Sequence, residues 1–242
     1  MAEHARGAPE FDGRLRVVSW NIRFGEEIEA ALGVLHSSDA VKGSDLLLLQ
    51  EMDEEGVDAI ARSLGHNYVY GAATVHSRTG KNFGNAVLSP WPLSDAGRVS
   101  LPRGSRLRGE NRVVVRATAR ISESFVQAYS VHTETVTLPW KQRVQQFRRI
   151  AAHASSWMGD HVVVAGDFNT VARRGVGVLT ELMEGIDLER VSAGAGPTFR
   201  RASLSWPLDH IFARGMSVID TGVLEGAEGS DHFPLWARLR IS

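Results

Sequence analysis

Near its start the chain twice alternates a short apolar run with a segment of helical spacing. The apolar runs cover residues 17–20 and 45–50, and they are followed by the segments 26–35 and 54–64. In both segments apolar side chains recur every three to four residues and acidic side chains occupy the first turn, as is typical of amphipathic helices. The sequence therefore predicts two strand–helix units whose helices cover one face of a sheet.

The middle of the chain changes to apolar runs that are separated by turns and show no helical spacing. Such a succession is typical of antiparallel strands, because each turn reverses the direction of the chain. The predicted strands cover residues 68–70, 84–88, 113–119 and 125–131.

The last part of the chain returns to alternating helices and strands. A long helix is predicted over residues 140–157, and Pro139 opens it at a position that suits the first helical turn. A strand at 162–165 and a helix at 178–183 follow. The final predicted strands cover residues 209–213, 216–223 and 233–241.

This order of elements predicts an α/β fold, a four-layer α/β sandwich in which helices flank two packed, mostly antiparallel sheets. A single doubly wound sheet is the alternative. No Gly-x-Gly-x-x-Gly or Walker loop follows a predicted strand, so a dinucleotide or P-loop site has no support. Because no linker-like stretch divides the chain, we expect a flexible N-terminal segment at 1–13 and one domain over 14–242.

The composition excludes several kinds of catalytic chemistry but leaves the class of binding partner open. The chain has no cysteine, which excludes thiolate catalysis, thiolate-bound zinc and disulfides. Its net charge of −1 provides no overall attraction to nucleic acid. A local basic cluster suits either a solvated loop or a phosphate-binding one, and it consists of Arg103, Arg106, Arg108 and Arg112.

The first nine residues lack the apolar core of a secretory signal, and no apolar run approaches the roughly 18 residues of a membrane span. We therefore expect a cytoplasmic monomer without a membrane-spanning segment.

Polar side chains recur where the predicted strands end. Such positions hold side chains rigidly, and a polar group close to a core is costly unless something binds it. The pattern indicates a shared site that contains Asn21, Glu51, His132, Asp167 and the pair Asp231-His232.

The oxygen-bearing side chains of this set are those that a hard cation prefers. Asn21, Glu51, Asp167, Asn169 and Asp231 offer carboxylate or amide oxygens, which indicates Mg²⁺, with Mn²⁺ as the alternative. Taken singly, each of them suits a helix cap or an Asx turn equally well. Their repetition at strand ends favours a metal site.

Histidines add groups that titrate near neutral pH. His132 and His232 are suited to protonating or hydrogen-bonding an anionic oxygen, and Asp209 could orient His232 as a supporting carboxylate. The segment 132–134, His-Thr-Glu, also has zinc-ligand spacing, but no third ligand matches it.

Seven short motifs follow one another along the chain: Trp20-Asn21, Gln50-Glu51, Gly-Asn-Ala-Val-Leu-Ser at 84–89, Val131-His132, Gly-Asp-Phe-Asn at 166–169, Leu-Asp-His-Ile at 208–211 and Ser-Asp-His at 230–232. In this order they resemble the endonuclease/exonuclease/phosphatase superfamily. The resemblance spans nearly the whole chain and implies a four-layer sandwich that hydrolyses a phosphoester with a metal ion.

The resemblance also implies roles for individual residues. Glu51 looks like the main metal ligand, with Asn21 and Asp231 beside it. Asp167 and Asn169 match the pair that positions the attacking water and the phosphoryl oxygens. Asp209 matches the carboxylate that orients His232, which is itself the phosphate-contacting or acid–base imidazole.

Three further positions bear on the substrate. His132 stands where DNase I-like, sphingomyelinase-like and tyrosyl-DNA phosphodiesterase-like branches carry histidine and apurinic endonucleases carry tyrosine, which argues against abasic-site repair. Arg112 resembles an arginine suited to a substrate phosphate, with a strand-edge surface charge as the alternative. Arg143, three residues before Gln146, is a second candidate for substrate binding that could equally brace the rim of the site.

The sequence thus predicts a phosphodiesterase or nuclease that uses in-line attack of water. The alternatives are a phosphatase or phosphodiesterase for a small-molecule or lipid phosphoester, such as an inositol or sphingolipid one, and a catalytically silent binding protein. Nucleic acid would find backbone contacts at the basic segment 103–112 and at Trp140, Arg173, Arg174, Arg200 and Arg201.

Overall fold

The computed structural model describes residues 1–7, 9–76, 80–104 and 111–241. Arg106 and Arg108 of the predicted basic cluster lie outside these ranges. The strands are β1 (Arg14–Asn21), β2 (Leu46–Met52), β3 (Asn67–Val75), β4 (Asn82–Ser89), β5 (Leu93–Ser100), β6 (Val113–Ile121), β7 (Ser124–His132), β8 (His161–Asp167), β9 (Phe199–Arg201), β10 (Leu204–Trp206), β11 (Asp209–Arg214), β12 (Met216–Val223) and β13 (Leu235–Ile241). The helices are α1 (Ile28–Ser37), α2 (Glu54–Leu64), α3 (Trp140–Ser155) and α4 (Arg173–Glu184), with a short 3₁₀ turn at Arg23–Gly25.

Two large sheets form in the described part of the chain. The first has the order β12-β13-β1-β2-β4-β3 and the second has the order β11-β8-β7-β6-β5. Neighbouring strands are antiparallel except for two parallel pairs, β1 with β2 and β7 with β8. The predicted two-sheet sandwich is therefore confirmed, and the single doubly wound sheet is wrong.

Alternating residues of one strand face two different apolar layers. Leu46 and Leu48 of β2 pack between the sheets, whereas Leu47 and Leu49 pack against α1 and α2. The second sheet is covered in the same way by α3 and α4. Burial on both faces explains why these strands are continuously apolar in sequence.

Helix α2 begins and ends where the sequence predicts it, because both ends carry local caps. The Asp53 side chain accepts a hydrogen bond from the Gly56 amide over 2.7 Å, and Gly65 ends the helix in the left-handed conformation. An N-cap carboxylate and a left-handed glycine satisfy backbone groups that the helix itself leaves unpaired.

Polar side chains join the two sheets beneath one end of the sandwich. Gln50 donates to Ser130 Oγ over 3.0 Å, and Ser130 Oγ donates to the Leu49 carbonyl over 2.8 Å. Asn85 donates to the carbonyls of Val113 and Ser130 on the other sheet. Because buried polar groups need partners, these bonds set the position of one sheet against the other.

The sequence prediction misses β5 and the β9–β10 hairpin, and it starts α4 five residues late. Five of the eight residues of β5 are exposed, so it lacks the apolar run that marks the other strands. The strand-rich middle of the chain is also divided, since β3 and β4 join the first sheet and β5 to β7 join the second.

Near the N-terminus, Ala2 pairs with Tyr68 in β3, and the Asn67 side chain accepts hydrogen bonds from the amides of His4 and Ala5. Among the described residues, no helix has the length and apolar character needed to cross a bilayer.

Candidate active site

The two parallel strand pairs place their carboxyl ends at the same end of the sandwich. Asn21 is paired with Gln50 at the end of β1 and β2, and His132 is paired with Asp167 at the end of β7 and β8. Asp209, the first residue of β11, is paired with Asp167 from the other side. The fold therefore brings together residues that are far apart in sequence.

Unusual backbone conformations occur where two of these strands end. Glu51 has a φ of 59° and lies in an irregular stretch of the β2–β4 pairing. Gly166 has a φ of 151°, and a Cβ atom there would lie 1.9 Å from the Val131 carbonyl oxygen. Glycine is thus required directly before Asp167, because β7 and β8 approach too closely for a side chain.

Asp167 lies at the centre of the group. One of its oxygens accepts from Asn21 Nδ2 over 3.2 Å, and the other accepts from the Asn169 amide over 2.8 Å. The Nε2 atoms of His132 and His232 lie 3.7 Å and 3.8 Å from Asp167 Oδ2. Burial, together with the neighbouring charge of Asp209, raises the pKa of Asp167 to about 7.

His232 is held by backbone and side-chain hydrogen bonds. Its Nδ1 donates to Asp209 Oδ2 over 2.9 Å, its amide donates to Ser230 Oγ over 3.1 Å, and its carbonyl accepts from Trp20 Nε1 over 2.8 Å. Burial works against protonation of the ring, but the carboxylate of Asp209 outweighs it and the pKa rises to about 10. His232 is therefore an imidazolium at neutral pH.

His132 has the opposite protonation state. Nη1 of Arg112 lies 3.3 Å from His132 Nδ1, and a guanidinium can only donate, so Nδ1 accepts and the proton lies on Nε2. Burial and the positive charges of Arg112 and His232 hold the pKa of His132 well below its usual value. The Nε2 atom that carries this proton lies 3.7 Å from both Glu51 Oε1 and Asp167 Oδ2.

The predicted metal ligands lie close enough to affect one another. Burial raises the pKa of Glu51, whereas the charges of Arg112 and His232 and a hydrogen bond from Asn21 oppose the shift; the charge of Asp231 adds a smaller increase. The pKa values of both Glu51 and Asp167 stay raised despite the neighbouring positive charges, so keeping the two buried carboxyls ionised is costly without a further cation. An oxygen-rich donor set of this kind fits a hard divalent cation.

A second grouping of ligand atoms involves Asp167, Asp209 and His232, which lie within 4.8 Å of one another. Asp209 already binds the Nδ1–H of His232, however, and a protonated imidazole cannot ligate a metal. We therefore interpret Asp209 and His232 as a hydrogen-bonded carboxylate–imidazole pair beside the predicted metal ligands.

The two predicted substrate-binding arginines are both buried. Arg112 is 4% exposed and contacts His132 and, at 3.5 Å, Glu134. Its interpretation as a strand-edge surface charge is therefore wrong. Arg143 is 5% exposed and donates to the carbonyls of Phe168 and Asn169. Direct contact of either arginine with a substrate stays a prediction.

Asn169 has its own fixed position, with a φ of 50° and a hydrogen bond from Nδ2 to the Thr133 carbonyl over 3.0 Å. The hydrogen bond from its backbone amide to the Asp167 side chain closes an Asx turn, which is the alternative role that the sequence offers for this pair. Asn169 therefore also shapes the loop that follows Asp167.

Two aromatic rings border the histidines and were not identified from the sequence. The Phe199 ring centre lies 4.8 Å from that of His232, and the Phe83 ring centre lies 5.7 Å from that of His132. Phe199 also pairs with His232 through its backbone. No local motif marks these phenylalanines, since only long-range pairing brings them to the site.

Comparison with known proteins identifies the family to which this chain belongs. Residues 18–232 match the sequence model of the Endonuclease/Exonuclease/phosphatase family. A UPF0294 protein of Erwinia tasmaniensis is 28% identical over 231 residues, which is 92% of this chain and 80% of the relative. A UPF0294 protein of Yersinia enterocolitica is 38% identical over 74 residues, which is 31% of this chain and only 27% of that protein's length.

Solved structures show the same fold. An endonuclease/exonuclease/phosphatase from Beutenbergia cavernae aligns with a TM-score of 0.79 and 20% identity, covering 95% of this chain and 72% of that one. A mannosyl-6-phosphatase of Bacteroides thetaiotaomicron aligns at 0.73 and 17%, covering 93% and 99%. TDP2 of D. rerio in complex with a single-strand DNA product aligns at 0.70 and 15%, covering 95% and 100%.

Proposed function

Because the chain belongs to the endonuclease/exonuclease/phosphatase family, we propose that it hydrolyses a phosphodiester bond with the help of Mg²⁺, acting as a nuclease or related phosphodiesterase. The observation that carries the proposal is the position of Asp167 between two histidines of opposite protonation state. Environments that separate the pKa values of neighbouring groups are characteristic of acid–base sites.

In this proposal a water molecule attacks phosphorus in line with the leaving oxygen. Asp167 aligns this water and accepts its proton, while the amide of Asn169 keeps the Asp167 carboxylate in place. The His232 imidazolium, held by Asp209, donates a hydrogen bond to a phosphoryl oxygen as negative charge develops on it. No covalent bond to the protein is formed.

His132 has a different role from His232, because it is neutral and its Nε2–H faces the carboxylates of Glu51 and Asp167. We assign it to hydrogen bonding of an anionic oxygen of the substrate. Arg112 acts through His132, since the hydrogen bond that Arg112 donates to Nδ1 of His132 keeps the imidazole proton on Nε2. In this role Arg112 positions His132, and we further propose that it contacts a phosphate of the bound substrate.

Glu51, with Asn21 and Asp231, would hold the cation, and Mn²⁺ is the alternative to Mg²⁺. Bound there, the ion would supply Lewis-acid stabilisation of charge on the phosphoryl group. Its binding would also neutralise the carboxyls whose pKa values burial raises.

The alternative is hydrolysis of a small-molecule or lipid phosphoester by the same centre, for which the fold shared with a mannosyl-6-phosphatase gives a precedent. We favour a nucleic acid because exposed arginines lie on two sides of the site. Arg173 and Arg174 begin α4, the helix after Asp167, and Arg200 and Arg201 lie in β9, which leads from the Phe199–His232 pairing. The fold shared with a TDP2 that holds a single-strand DNA product also supports this choice.

The test is hydrolysis by the purified protein with Mg²⁺, Mn²⁺ or EDTA. The substrates are single- and double-stranded DNA, RNA, bis-p-nitrophenyl phosphate, nucleotides, sugar phosphates, and inositol and sphingolipid phosphoesters. We expect cation-dependent cleavage of polynucleotides and of bis-p-nitrophenyl phosphate.

Asp167→Asn serves as the control for contaminating enzymes, and we expect its turnover to fall by orders of magnitude with the fold retained. Near-normal activity in this variant would contradict the assigned role of Asp167. Turnover confined to small or lipid phosphoesters would support the alternative, and silence on all substrates would contradict the enzymatic proposal.

A further inference from the structure

A groove of about 370 Å³ lies beside the candidate active site, and its lining includes Val136, Trp140, Arg143, Thr170, Val171 and Arg174. This volume is within the roughly 300–1,000 Å³ typical of small-ligand pockets. The groove lies between the loop that follows His132 and the loop that follows Asp167, and α3 and α4 both begin at its edge.

The groove is continuous with the catalytic group through covalent and hydrogen-bonded neighbours. Thr170 directly follows Asn169, whose amide binds Asp167. Arg143 donates to the carbonyls of Phe168 and Asn169, so the same side chain lines the groove and holds the Asp167 loop. A ligand in the groove would therefore be an extension of a substrate bound at Asp167.

Three large apolar side chains are exposed along the groove: Val136 by 67%, Val171 by 43% and Trp140 by 39%. Gly175 lies directly against the Trp140 ring, since a Cβ atom there would be in van der Waals contact with the ring at 3.4 Å. Clustered exposed apolar groups of this kind indicate a binding surface. Trp140 is thus available for stacking.

The charge of the groove indicates an anion. Arg143 and Arg174 line it, and its lining within the described ranges contains no carboxylate. Arg174 is exposed and forms no ion pair with any described residue. Arg143 is 95% buried, its guanidinium lies 5.6 Å from the Trp140 ring centre, and its Nε atom has no hydrogen-bond partner. Two guanidinium groups beside a groove without a carboxylate favour a ligand that carries negative charge.

We propose that this groove binds a nucleotide unit of single-stranded nucleic acid next to the phosphate that is cleaved, with its base stacked on Trp140 and its phosphate near Arg174. A base offers a flat face to the exposed Trp140 ring and its phosphate offers a negative charge to Arg174, whereas a lipid chain offers no flat face to the ring. A single strand fits because the bases of a duplex are already stacked. The inference rests on the proposed phosphodiesterase function, whose substrate class it names.

The test is binding of fluorescein-labelled hexathymidylate to the full chain in EDTA, followed by anisotropy. Loss of a stacking aromatic lowers affinity by roughly 5- to 150-fold per base. We expect Trp140→Ala to weaken binding by this factor, Trp140→Phe to restore most of it, and Arg174→Gln to weaken binding and reduce its salt dependence.

Phe125→Ala is the matched control, because Phe125 is 52% exposed and lies at the end of β7 opposite to His132. We expect it to bind hexathymidylate as the wild type does. Melting curves of all variants separate loss of stacking from loss of fold.

Unchanged affinity in folded Trp140→Ala would overturn the inference, as would wild-type protein that does not bind hexathymidylate. Trp140-dependent binding to vesicles of phosphatidylcholine and phosphatidylinositol phosphate in its place would assign the groove to a lipid. Hydrolysis of bis-p-nitrophenyl phosphate by the wild type tests the proposed function separately. Its failure with Trp140-dependent binding intact would leave a nucleotide-binding groove on a protein of another activity.

Discussion

His232 donates a hydrogen bond from Nδ1 to Oδ2 of Asp209 over 2.9 Å, and this pair joins the two sheets of the sandwich. Asp209 begins β11 in the second sheet, whereas His232 comes shortly before β13 in the first. The charge state of His232 therefore depends on how the sheets pack. Any substitution that shifts one sheet against the other should alter this bond as well as stability.

Asp209→Asn should remove the charge that keeps His232 protonated. The pKa of His232, about 10 in the intact site, should fall, and the alkaline limb of the pH–rate profile should move to lower pH. We expect kcat to decrease by roughly 10²- to 10⁴-fold, as for loss of a positioned acid or base. The measurement is kcat against pH with bis-p-nitrophenyl phosphate. Asp220→Asn, an exposed aspartate in β12, is the control, and an unshifted profile in Asp209→Asn would contradict the role of the pair.

Asp167→Asn should stabilise the metal-free protein at alkaline pH. Burial raises the pKa of this carboxyl from 3.8 to about 7, so the folded state binds the proton more tightly than the unfolded chain. Its contribution to stability is complete below pH 3.8 and is lost as the pH rises through about 7. Asparagine does not ionise, so the variant avoids this loss. We expect its free energy of unfolding to exceed that of the wild type by on the order of 1 kcal/mol at pH 8 in EDTA. Urea unfolding measures it, and a less stable variant would speak against uncompensated charge at Asp167.

Glu51→Gln should abolish stabilisation by the cation. Binding to the folded state alone adds RT ln(1 + [L]/Kd) to the free energy of unfolding, or about 2.7 kcal/mol at a hundredfold excess over Kd. We expect the wild type to melt at higher temperature in Mg²⁺ than in EDTA, and Glu51→Gln to melt alike in both. Glu54→Gln, an exposed glutamate three residues along, should keep the Mg²⁺ effect. A full Mg²⁺ effect in Glu51→Gln would place the cation elsewhere.

His210 should make the protein sensitive to acid. It lies buried beside Phe168 and Phe212, and burial together with Arg190 lowers its pKa from 6.5 to about 3. The unfolded chain therefore binds one more proton between these values, and stability falls as the pH decreases from 6.5 towards 3. His210→Gln should reduce this dependence by up to about 1.4 kcal/mol per pH unit. Denaturant unfolding across the window tests it, with exposed His36→Gln as the variant that should keep the wild-type slope.

Gly166→Ala should disrupt the strand end that carries Asp167. The new Cβ atom would lie 1.9 Å from the Val131 carbonyl oxygen, at a φ that side chains rarely adopt. We expect a loss of at least about 3 kcal/mol of stability together with activity. Gly177→Ala in α4, where a Cβ atom meets nothing within 4 Å, should be neutral or stabilising by up to about 1 kcal/mol. Equal stability of the two variants would mean that β7 and β8 can separate at little cost.

Local features of the chain were sufficient to predict much of the fold. Helical spacing predicts α2 with both of its ends, and the structure shows that Asp53 and Gly65 cap the helix at those ends. Strand β2 was predicted because burial on two faces requires a continuous apolar run. Strand β5 was not, since an exposed edge strand needs no such run.

For the site, the sequence by itself determined which side chains are available and that they follow strands. It places Asn21, Glu51, His132 and Asp167 at predicted strand ends, which is why the candidates could be named without a structure. The sequence does not determine the protonation states of the two histidines. His132 is neutral because Arg112 donates to its Nδ1, and His232 is charged because Asp209 accepts from its Nδ1.

Only the tertiary structure determined the protonation states of His132 and His232 and formed the groove beside the candidate active site. Desolvation and Coulomb interactions depend on distances of a few ångströms between atoms, and those distances are set by strands and loops that lie far apart in the chain. Trp140 and Arg174 are 34 positions apart in sequence, and they line one groove because α3 and α4 begin on the same side of the second sheet. Hydrophobic periodicity and capping act over a few residues, and they carry no information about such pairings.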